Sequence, residues 1–209
     1  MTTIIDGTAG VTFPAGGVGN PASAVVGLTD TQTLTNKSVV ATQLTGTIAA
    51  ARLPTGSVLQ VVQASTYSPQ TMSITSSAAL VASGFTCAIT PSSSSSKVSV
   101  FYSSTIGSTS SNNGVGGNVQ LYRNIGGGPY GFAGGSYNNY WNTVTYIYYQ
   151  QLSFTIMYLD SPATTSQVIY QPYFNLSCGT AGGTGVLGGR NTDGLSYSGS
   201  YIIAMEIAA

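Results

Sequence analysis

The chain has 209 residues, of which 42% are hydrophobic and only 5% charged, with five positive charges against five negative. Such a length and hydrophobic content allow one globular domain plus an extended segment, and a charged fraction far below the usual quarter leaves the surface to Ser, Thr, Asn, Gln, Gly and Tyr. Zero net charge removes the attraction that draws proteins to nucleic acid or anionic membranes, and the absence of histidine excludes Ser-His-Asp and Cys-His catalysis and His-ligated metal sites.

Residues 1–24 come first. They carry Ile4, Ile5, Val11 and Phe13 among Gly, Thr and Ala, and then Gly16-Gly17-Val18-Gly19-Asn20-Pro21. That is too little apolar surface for an independent core. The segment reads as a short strand pair or an extended peptide that docks onto something else, with those four side chains as the anchoring candidates. It has no basic stretch and no long apolar run, so a secretory signal is not expected. Residues 25–56 are rich in Thr and aliphatics, which favour strands. Asn36-Lys37 has the look of a turn, and 49–53 of a single helical turn before Pro54. This stretch cannot bury itself in a monomer either. Three copies around an axis would share one narrow apolar core.

Phe13 is the only aromatic residue before Tyr67, and all 14 tyrosines and the one tryptophan lie downstream. The compact core is therefore expected in 57–209. Apolar and polar positions alternate there in short runs: 57–63, 71–74, 79–82, 85–89, 97–104, 118–123, 146–159, 167–176 and 201–207. Val98, Val100 and Tyr102 share one strand face, as do Ile202, Ala204 and Glu206. Many short strands without a helical period predict an all-β sandwich or jelly roll. Residues 92–96, 107–117, 126–135 and 179–189 are expected as loops. Tyr146 to Tyr149 lack alternation, as a strand buried on both faces would.

The acids Asp6, Asp30, Asp160, Asp193 and Glu206 are scattered, and no carboxylate pair stands out. The chain is expected to be no enzyme and to need no cofactor or metal. Cys87 and Cys178 lie in apolar strand contexts and read as buried thiols; whether they pair is left open. Gly183-Thr184-Gly185-Val186-Leu187-Gly188 matches the dinucleotide-binding spacing, but no helical pattern follows it, so a hairpin loop is the expectation.

Three N-terminal segments resemble virion fibre proteins of bacteriophages. Residues 28–37, Leu-Thr-Asp-Thr-Gln-Thr-Leu-Thr-Asn-Lys, resemble a signature of phage tail fibres. Residues 43–54, ending Ala51-Arg52-Leu53-Pro54, and residues 3–14, with Asp6-Gly7-Thr8 and Phe13-Pro14, are similar to elements of the same proteins. The C-terminal part is similar to fibre heads, through 154–162, 189–193 and 201–207. The resemblance implies a homotrimer: residues 1–24 as virion anchor, 25–56 as an intertwined β shaft, and 57–209 as a jelly-roll head akin to that of C1q and tumour necrosis factor. The implied function is attachment to the host surface by a virion protein made in the bacterial cytoplasm, with no membrane insertion and no nucleic acid bound. Its implied partners are other virion proteins of the tail, baseplate or capsid, and a host surface glycan or protein. A capsid decoration protein or head fibre, bound to the shell through its N-terminus, is the alternative.

The most informative candidate site is Tyr130, Phe132, Tyr137, Asn138, Asn139, Tyr140 and Trp141. Aromatics with small polar neighbours are what binding loops use, and a sugar ring can stack on Trp141 or a tyrosine while Asn bonds its hydroxyls. The same residues would also suit a sandwich interior or a subunit seam.

Overall fold

The computed structural model describes residues 4–6, 10–12, 46, 48–49, 52–74, 79–108, 115–139, 151–178, 183–190 and 198–209. In chain order its strands are β1 (Ile4–Asp6), β2 (Gly10–Thr12), β3 (Val58–Thr66), β4 (Gln70–Ile74), β5 (Ala79–Ala82), β6 (Cys87–Ile89), β7 (Lys97–Ser108), β8 (Val115–Ile125), β9 (Gly131–Asn139), β10 (Leu152–Asp160), β11 (Val168–Cys178), β12 (Gly183–Leu187) and β13 (Ser200–Ile207). Among the described residues there is no α-helix, and the paired strands run antiparallel. The all-β expectation holds.

The chain divides into two compact units, Met1–Thr47 and Ile48–Ala209. In the first, β1 pairs with β2, Ile5 opposite Val11. A strand pair is thus present within residues 1–24; Phe13 and most of the expected shaft lie outside the described residues. Near the start of the second unit the Arg52 amide donates to the Ala49 carbonyl at 2.8 Å. A β-turn follows: the Ser57 amide donates to Pro54 at 3.1 Å, and Gly56 takes the positive φ of 89° that a type II turn needs at its third position. Gly56 then donates to Ala208, and Ala208 to Ser57. These bonds tie Gly56 and Ser57 to Ala208 within this unit.

Two sheets make up the second unit. One has the order β3-β13-β7-β10, with β12 continuing along the β13 side of β7 and β4 paired to β12. The other has β5 and β6 end to end along β11, then β8 and β9. Pro172 lies inside β11, where a proline normally breaks a ladder. It sits opposite the gap between β5 and β6, where its carbonyl accepts from the Ser83 amide at 3.0 Å, so no strand there needs its missing N–H.

Alternation sets the core. Val98, Val100 and Tyr102 on β7, Phe154 and Ile156 on β10, and Ile202 and Ala204 on β13 face Val119 and Leu121 on β8 and Val168, Tyr170 and Phe174 on β11. Tyr102 touches Phe154 edge to face, and Phe154 touches Phe174 likewise, which links the sheets through aromatic contacts. Cys87 is buried in this core, and burial pushes its thiol pKa up. It lies opposite Tyr170, whereas Cys178 is eight residues further along β11. That is roughly 26 Å at strand rise, too far for a disulfide.

Two segments expected as loops are strands. β9 was hidden by Gly131, Gly134 and Gly135, which weaken strand propensity. Gly134 and Gly135 have φ of 128° and 68°, and a side chain on either would run into Tyr158 of β10. The register with β8 shifts at the same place, on either side of Leu121. The glycines therefore let the two sheets approach. β12, expected as a hairpin loop, is paired on both sides, to β4 and to β7. Its glycines sit inside a ladder and open no helix. Residues 146–150 lie outside the described residues, while β10 alternates cleanly, with Phe154 and Ile156 buried and Met157 and Leu159 exposed.

Candidate functional site

The outward residues of β3, β13, β7 and β10 form cross-strand rows. One row is Gln63, Ile203, Phe101 and Met157; the next is Val61, Met205, Ser99 and Leu159. Ser65, Tyr201, Ser103 and Thr155 make a third on one side, and Val58, Ile207 and Lys97 a fourth on the other. Lys97 is the only charged side chain in these rows. Of the seven large hydrophobic residues left exposed among those described, Val58, Val61, Met157 and Leu159 belong to this face, Met157 being 74% exposed. From strand spacing and rise, the face spans on the order of 500 Å². A patch of that size and composition is what an interaction surface presents.

The opposite sheet has a different outer surface. Tyr122 of β8 packs on Tyr173 of β11 with ring centroids 4.4 Å apart. Phe132 of β9 meets Tyr122 edge to face at 5.8 Å, and Tyr130 lies 5.9 Å from Tyr173. Phe132 is exposed; Tyr122, Tyr130 and Tyr173 are half-buried. Burial, and then the neighbouring Tyr173, raise the pKa of Tyr130. Beside Phe132 a cleft of about 280 Å³ is lined by Arg123, Ile125, Gly128, Pro129 and Gly131. Its rim is held by hydrogen bonds. Gly127 donates to Asn124 Oδ1 at 3.0 Å, Asn124 Nδ2 donates to the Gly128 carbonyl, Gly128 donates to Ile125 at 3.0 Å and Gly126 to Gln167 at 2.9 Å.

Two carboxylates lie inside the sandwich. Asp160 is buried, accepts from Arg123 Nη1, and accepts from the Tyr170 hydroxyl and the Ser161 amide at 2.8 Å each. Glu206 is fully buried and accepts from Gln60 Nε2 at 2.6 Å and from the Ser92 amide and hydroxyl at 2.7 Å. Burial alone would raise the Glu206 pKa, but the donors Gln60, Ser92 and Ser96 outweigh it and hold the carboxyl below its ordinary value. Both acids stand opposite Val98, one on each side of β7. Acids scattered along the chain thus share one sheet face, about two strand spacings or ~10 Å apart. The bonds of Asp160 cross from one sheet to the other, through Arg123 on β8 and Tyr170 on β11. Those of Glu206 fasten β3 and the 92–96 turn to β13. Each carboxylate holds strands together.

Of the sequence-derived candidates, Tyr130 and Phe132 come together in the aromatic cluster. The bridging residues Tyr122 and Tyr173 were missed. Their signal was parity, since Val119 and Leu121 point inward and Tyr122 must then point out. Tyr137, Asn138 and Asn139 lie on β9, opposite Val119, Asn118 and Gly117. Tyr140 and Trp141 lie outside the described residues, as does Phe13 of the anchoring set; Ile4, Ile5 and Val11 lie in the β1–β2 pair. No protein-family model matches the chain, and a search of curated proteins finds no match either.

Proposed function

We propose that this chain is the subunit of a homotrimeric bacteriophage fibre, a virion protein whose C-terminal jelly-roll head attaches the particle to the host surface. The observation that carries the reading is the outer face of β3-β13-β7-β10, whose rows hold a single charged side chain, Lys97, and leave Val58, Val61, Met157 and Leu159 exposed. A lone subunit would leave that face in water, whereas packing against a symmetry mate covers it. The path of the chain supports a jelly roll. It passes from β6 in one sheet to β7 in the other, back to β8 and β9, across to β10, back to β11, and across again to β12 and β13. The phage origin rests on the resemblance of residues 3–14, 28–37 and 43–54 to fibre proteins. Attachment is favoured by the aromatic cluster around the exposed Phe132, on the sheet facing away from the proposed seam.

Sedimentation of the full chain tests the assembly. A trimer is expected, and Met157→Arg, which sets a charge in the middle of the seam, should weaken association at least about tenfold, or ~1.4 kcal/mol, while the strand signal in circular dichroism stays. A wild-type monomer at micromolar concentration would sink the proposal. Attachment is tested by competition, with purified chain expected to block adsorption of particles to cells. If it does not block adsorption and labelling finds the chain on the capsid shell, the decoration alternative replaces attachment.

A further inference from the structure

We infer that the cleft beside Phe132 is a binding site for one pyranose ring of an uncharged glycan, which gives the proposed attachment function, on which this rests, a place on the flank of the head. Four observations converge. First, Phe132 is 56% exposed and borders the cleft, and its orientation is fixed by the edge-to-face contact with Tyr122 and, through it, by Tyr173. An exposed aromatic ring held in place is a stacking platform for the C–H face of a sugar, and little side-chain freedom is lost on binding.

Second, Arg123 lines the cleft and is itself immobilised by Asp160. A guanidinium has five N–H donors, and the ion pair uses Nη1. Donors therefore remain for sugar hydroxyls. The charge of Arg123 is balanced by the buried Asp160 carboxylate, so nothing here selects an acidic sugar. Third, two of the six residues around the cleft, Gly128 and Gly131, have no side chain, and Gly126 and Gly127 precede them in the same turn. Gly126, Gly127, Gly128 and Gly131 leave the backbone open, and the turn is pinned by the bonds to Asn124, Ile125 and Gln167. A ring can approach such a rim closely, while a protein partner would find little side-chain area there, far short of the ~800 Å² per side of a standard interface. Fourth, about 280 Å³ lies at the small end of small-molecule sites, which run from roughly 300 Å³ upward, and suits one ring.

Saturation-transfer NMR on the full chain tests this, with the methyl glycosides of glucose, galactose, mannose and N-acetylglucosamine as probes and glucuronate as the charged comparison. At least one methyl glycoside should bind with a Kd on the order of millimolar. Phe132→Ala should lower that affinity about tenfold, and Phe132→Trp should retain it. Gly131→Gln, at a position where an added Cβ meets nothing within 4 Å, should block the cleft without disturbing the fold. The inference is overturned if no methyl glycoside binds, if only glucuronate binds, or if Phe132→Ala and Gly131→Gln leave binding unchanged. It is also overturned if the chain captures a host surface protein through this cleft and binds none of the sugars. Particle competition separates this from the parent reading. A Phe132→Ala chain that still blocks adsorption like wild type refutes the cleft and leaves attachment standing. Sugar binding that these variants abolish, without any competition by wild type, supports the cleft and refutes attachment.

Discussion

Replacing Tyr102 with Phe and, separately, Tyr170 with Phe removes one oxygen atom in each case from a side chain with no solvent exposure. The two changes should act in opposite directions. The Tyr170 hydroxyl donates to Asp160 Oδ2 at 2.8 Å. A hydrogen bond to a charged acceptor contributes about 1.5–3 kcal/mol, so Tyr170→Phe should destabilise by that amount. Among the described residues the Tyr102 hydroxyl meets no hydrogen-bonding partner. The neighbouring Ser104, which would help a charged Tyr102, already bonds the Ser200 hydroxyl at 2.6 Å and points to the Thr105 carbonyl. An unsatisfied buried hydroxyl costs about 1–3 kcal/mol, and Tyr102→Phe should return that amount as added stability. The variants should differ by about 2.5–6 kcal/mol. With an m-value of about 2 kcal/mol/M, their urea midpoints should lie about 2 M apart. Both must be measured at one protomer concentration, since the proposed assembly would contribute to apparent stability. If Tyr102→Phe falls as far as Tyr170→Phe, the hydroxyl has a buried partner such as a water, and the reasoning is wrong.

Glu206→Gln should cost about 2 kcal/mol at neutral pH, because the carboxylate accepts charge-assisted bonds that a neutral amide replaces poorly. The folded pKa lies below the ordinary 4.5. The associated stability is therefore complete above the ordinary value and is lost as pH falls from there through the lowered one, so denaturation against pH should show a flatter acid limb in the variant; an unchanged limb would contradict this. Gly107→Ala should destabilise by about 3 kcal/mol or more, read by thermal melting, since the new Cβ would overlap the backbone carbonyl of Arg190, which cannot rotate away as a side chain could. A change under about 0.5 kcal/mol would mean that the Arg190 segment gives way easily.

Most strands were legible because alternation survives wherever side chains decide burial. Val98-Ser99-Val100-Phe101-Tyr102 and Ile202 to Ile207 each fall on the face that their pattern assigned. Legibility failed at glycine. The glycine-rich runs of β9 and β12 were expected as loops, whereas Gly134 and Gly135 provide room for Tyr158, a residue of a strand in the other sheet. Such a requirement is written in the partner strand and cannot be seen locally. The aromatic site was half legible for the same reason. Tyr130 and Phe132 stood out by their neighbours in sequence, but Tyr122 and Tyr173 join them only through the pairing of β8 with β9 and β11. The proximity of Asp160 and Glu206 to Val98 likewise required register.

Charge depletion now has a structural sense. The second unit contains seven charged residues: Arg52, Lys97, Arg123, Asp160, Arg190, Asp193 and Glu206. Three of them, Arg123, Asp160 and Glu206, are engaged in bonds inside or across the sandwich. Few remain to keep either broad face apart from other molecules, and the two faces differ in kind. The face of β3, β13, β7 and β10 exposes Val58, Val61, Met157 and Leu159, and on the proposed reading it packs against a copy of itself. The face of β11, β8 and β9 carries ordered aromatic rings beside amides and open backbone, suited to a small polar ligand with apolar C–H faces. A disruptive substitution should therefore act differently on each. On the first face it should change oligomeric mass, and on the second it should change ligand affinity without changing mass. Met157→Arg and Gly131→Gln, measured side by side for mass and for sugar binding, would separate the two roles within one domain.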